Sequence, residues 1–267
     1  MPLPVTPTLR HRLAESDRAL YGGWICSGSP VMAEIMAGAG LDWLMIDMEH
    51  GAVSLETVQV LLQVTAGYPA TTIVRVPVND AVWIKQVLDL GAQTIMVPMV
   101  STAAQAAEAV AHASYPPKGH RGVGNALARS GRWNRIDDYL ANAAEYTSVI
   151  VQIETAEGVE NAEAIASVPG VDGVFVGPSD LAASMGLIGQ QTHPDVVAAV
   201  GRAFAGVRAA GTPVGVNAFV ESAARDYVDK GAAFVLVGAD VGLVARASEA
   251  LAHTFIPSSD GAARGSY

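Results

Sequence analysis

The sequence predicts a closed parallel (β/α)8 barrel. Three observations point to it. Short apolar runs and helical segments alternate eight times, with no hairpin signal between any two runs. The runs are continuously apolar, as strands buried on both faces are. The chain has 267 residues, and a barrel of this kind takes about 250. An open doubly wound sheet would also alternate, but usually with fewer strands. No linker rich in proline, glycine or serine interrupts the middle. Residues 1–256 are therefore expected to form one domain, and 257–267, small and polar, a mobile tail.

Thr6-Pro7 reads as an N-cap with proline at the first helical position, opening a short helix with Leu9 and Leu13 inward. The first strand is expected at Gly23 to Ser27, followed by a helix over Pro30 to Ala39. The second is Trp43 to Asp47, with a helix from Leu55 to Ala66. The third is Thr72 to Val76, with a helix from Ala81 to Leu90. The fourth is Thr94 to Val97, with a helix from Ala103 to Ala113. A long polar excursion, Tyr115 to Arg135, leads to a short helix near Asp137 to Glu145. The fifth strand starts at Val149 and ends at Glu154. A helix over Glu157 to Val168 joins it to the sixth strand, Val174 to Gly177. Helical pieces near Leu181 and from Pro194 to Ala210 follow. The seventh strand is Pro213 to Asn217, with a helix from Glu221 to Lys230. The eighth is Ala233 to Val237, and the last helix is Val241 to Thr254.

Composition excludes several classes. Hydrophobic residues make up 51% and mean hydropathy is +0.31, ample for a large core. No apolar run approaches the roughly 18 residues of a membrane span. A formal charge of −10 offers no basic surface to nucleic acid. The polar stretch Met1 to Leu20 lacks the apolar segment of a secretory leader. Cys26 is the only cysteine, so no intrachain disulfide can form, and a cytoplasmic location is expected.

Ligands of parallel α/β proteins bind at the carboxyl ends of the strands. Glu154 ends the fifth strand and Asp180 follows the sixth, so two hard carboxylates converge where a divalent cation can be held. The other strand ends supply Trp24, the run Asp47-Met48-Glu49-His50, Arg75, Gln152 and Ser179. An acid pair, an arginine and a histidine at one mouth suit an anionic carbonyl substrate. The metal would polarise the carbonyl, arginine would hold the carboxylate or oxyanion, and histidine would move a proton. Each has a bland alternative: Asp180 as a helix cap, Arg75 in a structural ion pair, His50 with Glu49 at the surface. The lysines are Lys85, Lys118 and Lys230, none within a strand, which disfavours Schiff-base chemistry. The lone G-x-G at Gly122 and Gly124 follows no strand and is no nucleotide fingerprint.

The motifs resemble those of the HpcH/HpaI aldolase family, the metal-dependent pyruvate aldolases, over about Gly22 to Phe255. They are Ala37-Gly38-Ala39-Gly40-Leu41-Asp42-Trp43, Ile46-Asp47-Met48-Glu49-His50, Ile84-Lys85-Gln86-Val87-Leu88-Asp89, the Tyr115-to-Gly124 stretch, Gln152-Ile153-Glu154-Thr155 and Gly177-Pro178-Ser179-Asp180-Leu181. The resemblance implies a TIM barrel of the phosphoenolpyruvate/pyruvate type. It implies Glu154 and Asp180 as ligands of Mg²⁺, Mn²⁺ or Co²⁺, His50 in base chemistry supported by Asp89, and Arg75 against the keto acid. It implies Trp24, Asp47, Gln152 and Ser179 around the substrate. Residue 179 is serine here and alanine in some relatives. Arg121, Arg129 and Trp133 either meet the aldehyde or brace the excursion. The implied reaction is reversible aldol cleavage of a 4-hydroxy-2-oxo acid to pyruvate or hydroxypyruvate plus an aldehyde. The implied assembly is a homo-hexamer, a trimer of dimers, with the last helix, carrying Val244, Leu251 and Phe255, exchanged between subunits. Two alternatives remain at this level: a CoA-thioester lyase of the citrate lyase beta type, for which no lysine-rich groove is visible, and a non-catalytic binding barrel.

Overall fold

The computed structural model describes residues 5–256. The elements run α1 (Leu9–Glu15), β1 (Leu20–Ile25), α2 (Pro30–Ala37), β2 (Trp43–Asp47), α3 (Leu55–Thr65), β3 (Thr71–Arg75), α4 (Ala81–Asp89), β4 (Thr94–Val97) and α5 (Ala103–Ala113). They continue β5 (Ser148–Ile153), α6 (Ala156–Glu160), α7 (Ala162–Ala166), β6 (Gly173–Val176), α8 (Pro178–Ser184), α9 (Pro194–Ala209), β7 (Val214–Asn217), α10 (Glu221–Asp229), β8 (Phe234–Ala239) and α11 (Asp240–Phe255). All eight strands are parallel, pair in sequence order, and close into a barrel through β1 and β8.

Two apolar layers hold it. The outer layer lies between the sheet and the helices, for example Ile46, Val74, Val151 and Val176 against Leu61, Ile84, Ile165 and Val200. The inner layer fills the barrel with Trp43, Met45, Ile73, Met96, Ile150, Phe175 and Phe234. The Trp43, Phe175 and Phe234 rings touch at centroid distances of 5.8–6.5 Å. The Trp43 indole takes the space a Cβ at residue 22 would need, so β1 carries Gly22 there. Leu9 of α1 plugs the base, its N–H bonded to Thr94 Oγ1 at 3.1 Å.

Helices α3, α4, α5 and α6 open at the mouth on side-chain caps: Ser54, Asp80, Thr102 and Thr155 accept from N–H groups of their first turns. These caps fix where each strand hands over to its helix, and so where the strand-end side chains sit.

Four expectations change. The cap of α1 is Thr8 rather than Thr6, because Thr8 and His11 form a reciprocal capping box. Strand β1 starts at Leu20, where pairing with Phe234 of β8 begins, and ends at Ile25. The helix expected over Glu157 to Val168 breaks at Asn161, whose side-chain amide donates to the Ser101 carbonyl at 2.8 Å. The helix expected over Asp137 to Glu145 is a run of turns instead. Arg132, Trp133, Asn134 and Asp138 have φ between 51° and 60°, a left-handed conformation that ends right-handed helix. The tail expected at 257–267 lies outside the described residues.

The excursion after α5 packs on the base of the barrel, away from the mouth. Arg129 Nη1 donates to the Leu90 carbonyl at 3.2 Å, and the Ser130 N–H to the Asp89 carbonyl at 3.2 Å. Within one chain Arg121 and Arg129 therefore brace the loop.

Candidate active site

The carboxyl ends of the strands surround a cavity of about 290 Å³. It is lined by Trp24, Asp47, His50, Arg75, Gln152, Glu154, Ser179 and Asp180, all expected, and also by Cys26, Phe175, Gly177, Asn217 and Phe219. A larger cleft of about 570 Å³ lies at the base around Arg12, Asp42 and Tyr68, far from these groups.

Arg75, the last residue of β3, sits at the centre and is 5% exposed. Its Nε and Nη2 fork onto Asp47 Oδ1 and Oδ2 at 3.0 and 2.9 Å, since β2 and β3 pair with Asp47 beside Arg75. Its Nη1 meets Glu49 Oε2 at 3.0 Å, and its guanidinium carbon lies 4.2 Å from the centroid of Trp24. Asp47 Oδ1 also accepts from the Glu49 and His50 N–H groups, at 3.0 and 3.3 Å. Asp47, expected to face the substrate, is instead engaged on both oxygens and 2% exposed. It holds Arg75 and shapes the turn that carries His50.

Glu154 lies just past β5 and is 2% exposed. Gln152 Nε2 donates to its Oε1 at 2.6 Å, and the Met99 N–H to its Oε2 at 3.1 Å. Met99 has φ 56°, so the chain adopts an unfavourable backbone where it presents that N–H. Gly177 opposes the carboxylate. A Cβ there would come within 2.6 Å of Oε1, so only glycine leaves room for the carboxylate in this position. Burial, reinforced by the charge of Glu49 and then of Asp180, pushes the Glu154 carboxyl up to about 7, against the pull of the Met99 N–H. Burial likewise raises Glu49, opposed by Arg75.

Asp180 stands in the first turn of α8, open to solvent. It does not cap the helix: the cap position is Gly177, and among the described residues the Asp180 carboxylate has no hydrogen-bond partner. His50 is also exposed, at 66%, with its Nε2 3.9 Å from Glu49 Oε2. Cys26 is half-buried, and burial next to Asp47 and Asp240 pushes its thiol up to about 12, so it is no nucleophile at neutral pH.

Asp89 is not with them. It ends α4, which runs back from the mouth to the base, and its Oδ1 accepts from Arg121 Nη2 at 2.6 Å. The expected pairing of Asp89 with His50 is not formed within one chain, because the two residues stand at opposite ends of the barrel.

Among the described residues no three or more acid, histidine or cysteine side chains group to hold a metal ion. The donor set is two carboxylates, Glu154 and Asp180, with Glu49 engaged by Arg75. Like charge crowding a buried carboxylate is what a hard divalent cation relieves, and such ions accept one or two protein carboxylates with substrate and water completing the shell. The residues fit such an ion.

Sequence reasoning missed Met99, Asn217, Phe219 and Gly177's role. Met99 and Phe219 carry no chemical signal. Asn217 ends a strand at the mouth and was findable by the same rule that found Glu154.

A closed parallel barrel with acid, arginine and histidine at its carboxyl mouth suits carbon–carbon lyase chemistry on an anionic carbonyl compound. The chain belongs to the HpcH/HpaI aldolase/citrate lyase family, whose model matches residues 20–247. A 4-hydroxy-2-oxo-heptane-1,7-dioate aldolase of Salmonella dublin is 49% identical over 241 residues, 90% of this chain and 92% of that protein. A solved HpcH/HpaI aldolase/citrate lyase family protein from Burkholderia cenocepacia superposes with a TM-score of 0.88 at 41% identity, over 92% of this chain and 98% of that one. An HpcH/HpaI aldolase from Desulfitobacterium hafniense gives 0.86 at 27% identity, over 97% and 100%. No helix among the described residues is long and apolar enough to cross a membrane.

Proposed function

We propose that the protein reversibly cleaves 4-hydroxy-2-oxo acids into pyruvate, or hydroxypyruvate, and an aldehyde. The observation that carries this is the single cavity shared by Arg75, His50, Glu154 and Asp180. The half-identical relatives named as 4-hydroxy-2-oxo-heptane-1,7-dioate aldolases support it.

Glu154 and Asp180 would hold the divalent cation, Mg²⁺, Mn²⁺ or Co²⁺. Bound there, it supplies Lewis-acid stabilisation of negative charge on the 2-oxo oxygen. Arg75 orients the keto acid with the N–H groups that Asp47 and Glu49 leave free, as a planar donor suits a carboxylate or oxyanion. Trp24, Gln152 and Ser179 line the donor side. His50 takes the proton from the C4 hydroxyl as the C3–C4 bond breaks, and a proton returns to C3 to complete the 2-oxo acid.

The active unit is a homo-hexamer, a trimer of dimers. Helix α11 supports this reading. Of its sixteen residues only Asp240 is buried, while Leu251 and Phe255 are 63% and 76% exposed. Such a bare apolar face suits exchange onto a neighbouring subunit. The distance between Asp89 and His50 along the barrel supports it as well: a second copy's Asp89, already oriented by its own Arg121, could serve His50. The lone thiol supports a reducing, cytoplasmic setting.

The test is pyruvate release from a 4-hydroxy-2-oxo acid, before and after chelation and after cation is restored. Activity lost on chelation and regained with Mg²⁺, Mn²⁺ or Co²⁺ is expected. Undiminished activity in chelator would remove Glu154 and Asp180 from the metal role.

A further inference from the structure

We propose that Asn217 is a positioning residue for Arg75, acting through Trp24. The role of Arg75 in keto-acid binding rests on the aldolase reading above. The chain of contacts itself is geometric.

The Arg75 guanidinium donates through Nε and Nη2 to Asp47 at 3.0 and 2.9 Å, and its Nη1 lies 3.0 Å from Glu49 Oε2 as an ion pair. Asp47 holds one edge of the guanidinium through two hydrogen bonds, and Glu49 holds its charge. They fix its position, but they do not prevent it from tilting about the Asp47 fork. Tilt is blocked by the Trp24 ring, which covers one face at 4.2 Å. The orientation of that ring therefore sets the direction of the N–H groups left for a ligand.

Trp24 is 7% exposed, and its indole N–H needs an acceptor. The acceptor is Asn217 Oδ1, at 2.9 Å from Nε1. β7 and β1 both flank β8, so this bond bridges over β8 at the barrel mouth. An indole can only donate, so the amide orientation is determined: Oδ1 faces Trp24 and Nδ2 does not. Without Asn217 the indole N–H is left buried and unbonded. The ring then gains by turning toward another acceptor, and the guanidinium loses its backing face.

The contact predicts a specific pattern. Asn217→Leu should weaken pyruvate binding and raise the keto-acid KM by about tenfold, the size of one lost cation–ring contact. It should change kcat by less than about threefold and leave the aldehyde KM alone, since the aldehyde half does not depend on the guanidinium tilt. Trp24→Phe keeps a ring but removes the N–H that Asn217 serves. In that background Asn217→Leu should have no further effect, whereas independent residues would add.

The experiment uses the full chain loaded with Mn²⁺. Pyruvate affinity is measured by titration calorimetry and turnover by steady-state kinetics, for wild type, both single variants and the double variant. Asn217→Ala, which adds no bulk, replaces the leucine variant if that fails to fold. A tenfold loss in pyruvate affinity that disappears in the Trp24→Phe background is the expected result. Wild-type affinity in the Asn217 variant, or additive losses in the double variant, overturn the positioning role while leaving the aldolase reading intact. A wild-type protein that neither binds pyruvate nor releases it overturns both.

Discussion

Arg75 and Asp47 meet edge to edge, Nε to Oδ1 at 3.0 Å and Nη2 to Oδ2 at 2.9 Å, with both side chains almost wholly enclosed. A buried pair of this kind is sensitive to the loss of either member. Asp47→Ala strands a guanidinium beside Glu49 alone and should destabilise the fold by about 3–5 kcal/mol. Arg75→Lys keeps the charge but loses the planar fork, so pyruvate affinity should fall at least about tenfold even though the fold survives. Urea denaturation and pyruvate titration check the two outcomes.

The metal-free protein should carry a pH signature from Glu154. Its carboxyl is pushed from 4.5 up to about 7 by burial first and by Glu49 next. A raised folded-state value means the protonated form suits the fold. This stability is fully present below the unfolded value near 4.5 and is lost as pH rises through 7. Relative to Glu154→Gln, which does not titrate, metal-free wild type should lose on the order of 3 kcal/mol between pH 4.5 and 7 and little more above. Saturating divalent cation should restore wild type alone. Parallel stability–pH curves for the two proteins without metal would count against the acidic crowding described above.

His50, exposed at the mouth, is the proposed proton carrier. His50→Ala should lower turnover by about 10²–10⁴-fold while metal affinity is kept. Exchange of the pyruvate methyl protons in deuterated water should fall with it. If both rates stay at wild-type values, another group moves the proton.

Helix α11 should govern assembly. Leu251→Asp with Phe255→Asp places charge on its exposed apolar face and should yield monomers by light scattering at micromolar concentration. If Asp89 of a second copy serves His50, as proposed above, those monomers should also lose most turnover. An active monomer would break both expectations.

Much of the barrel was legible because a fully buried parallel strand leaves a continuous apolar run, and Trp43–Asp47 and Thr94–Val97 were read at their observed limits. Limits that depend on distant partners were not: β1 begins at Leu20 because Phe234 pairs there. The break at Asn161 depends on the Ser101 carbonyl, 60 positions earlier, which no local pattern reveals. The site followed the same division. Glu154, Asp180, Arg75 and His50 share one cavity, as expected from the convergence of strand ends. Met99 contributes only its backbone N–H, so its identity carries no signal. The location of Asp89 was implied by the alternation itself, since a helix between two parallel strands must end at the base.

The first residue of α11 has a further consequence. Asp240, fully buried, accepts the N–H groups of Cys26 and Ser27 at 2.9 and 3.1 Å and bonds the Ser27 hydroxyl. These links join the exit of the first strand to the entrance of the last helix, across 213 and 214 positions of chain. During synthesis the first strand leaves the ribosome long before its partner exists. A nascent chain can thus assemble most of its strands while the rim beside Trp24 stays open, and that rim closes only when nearly the whole polypeptide has emerged.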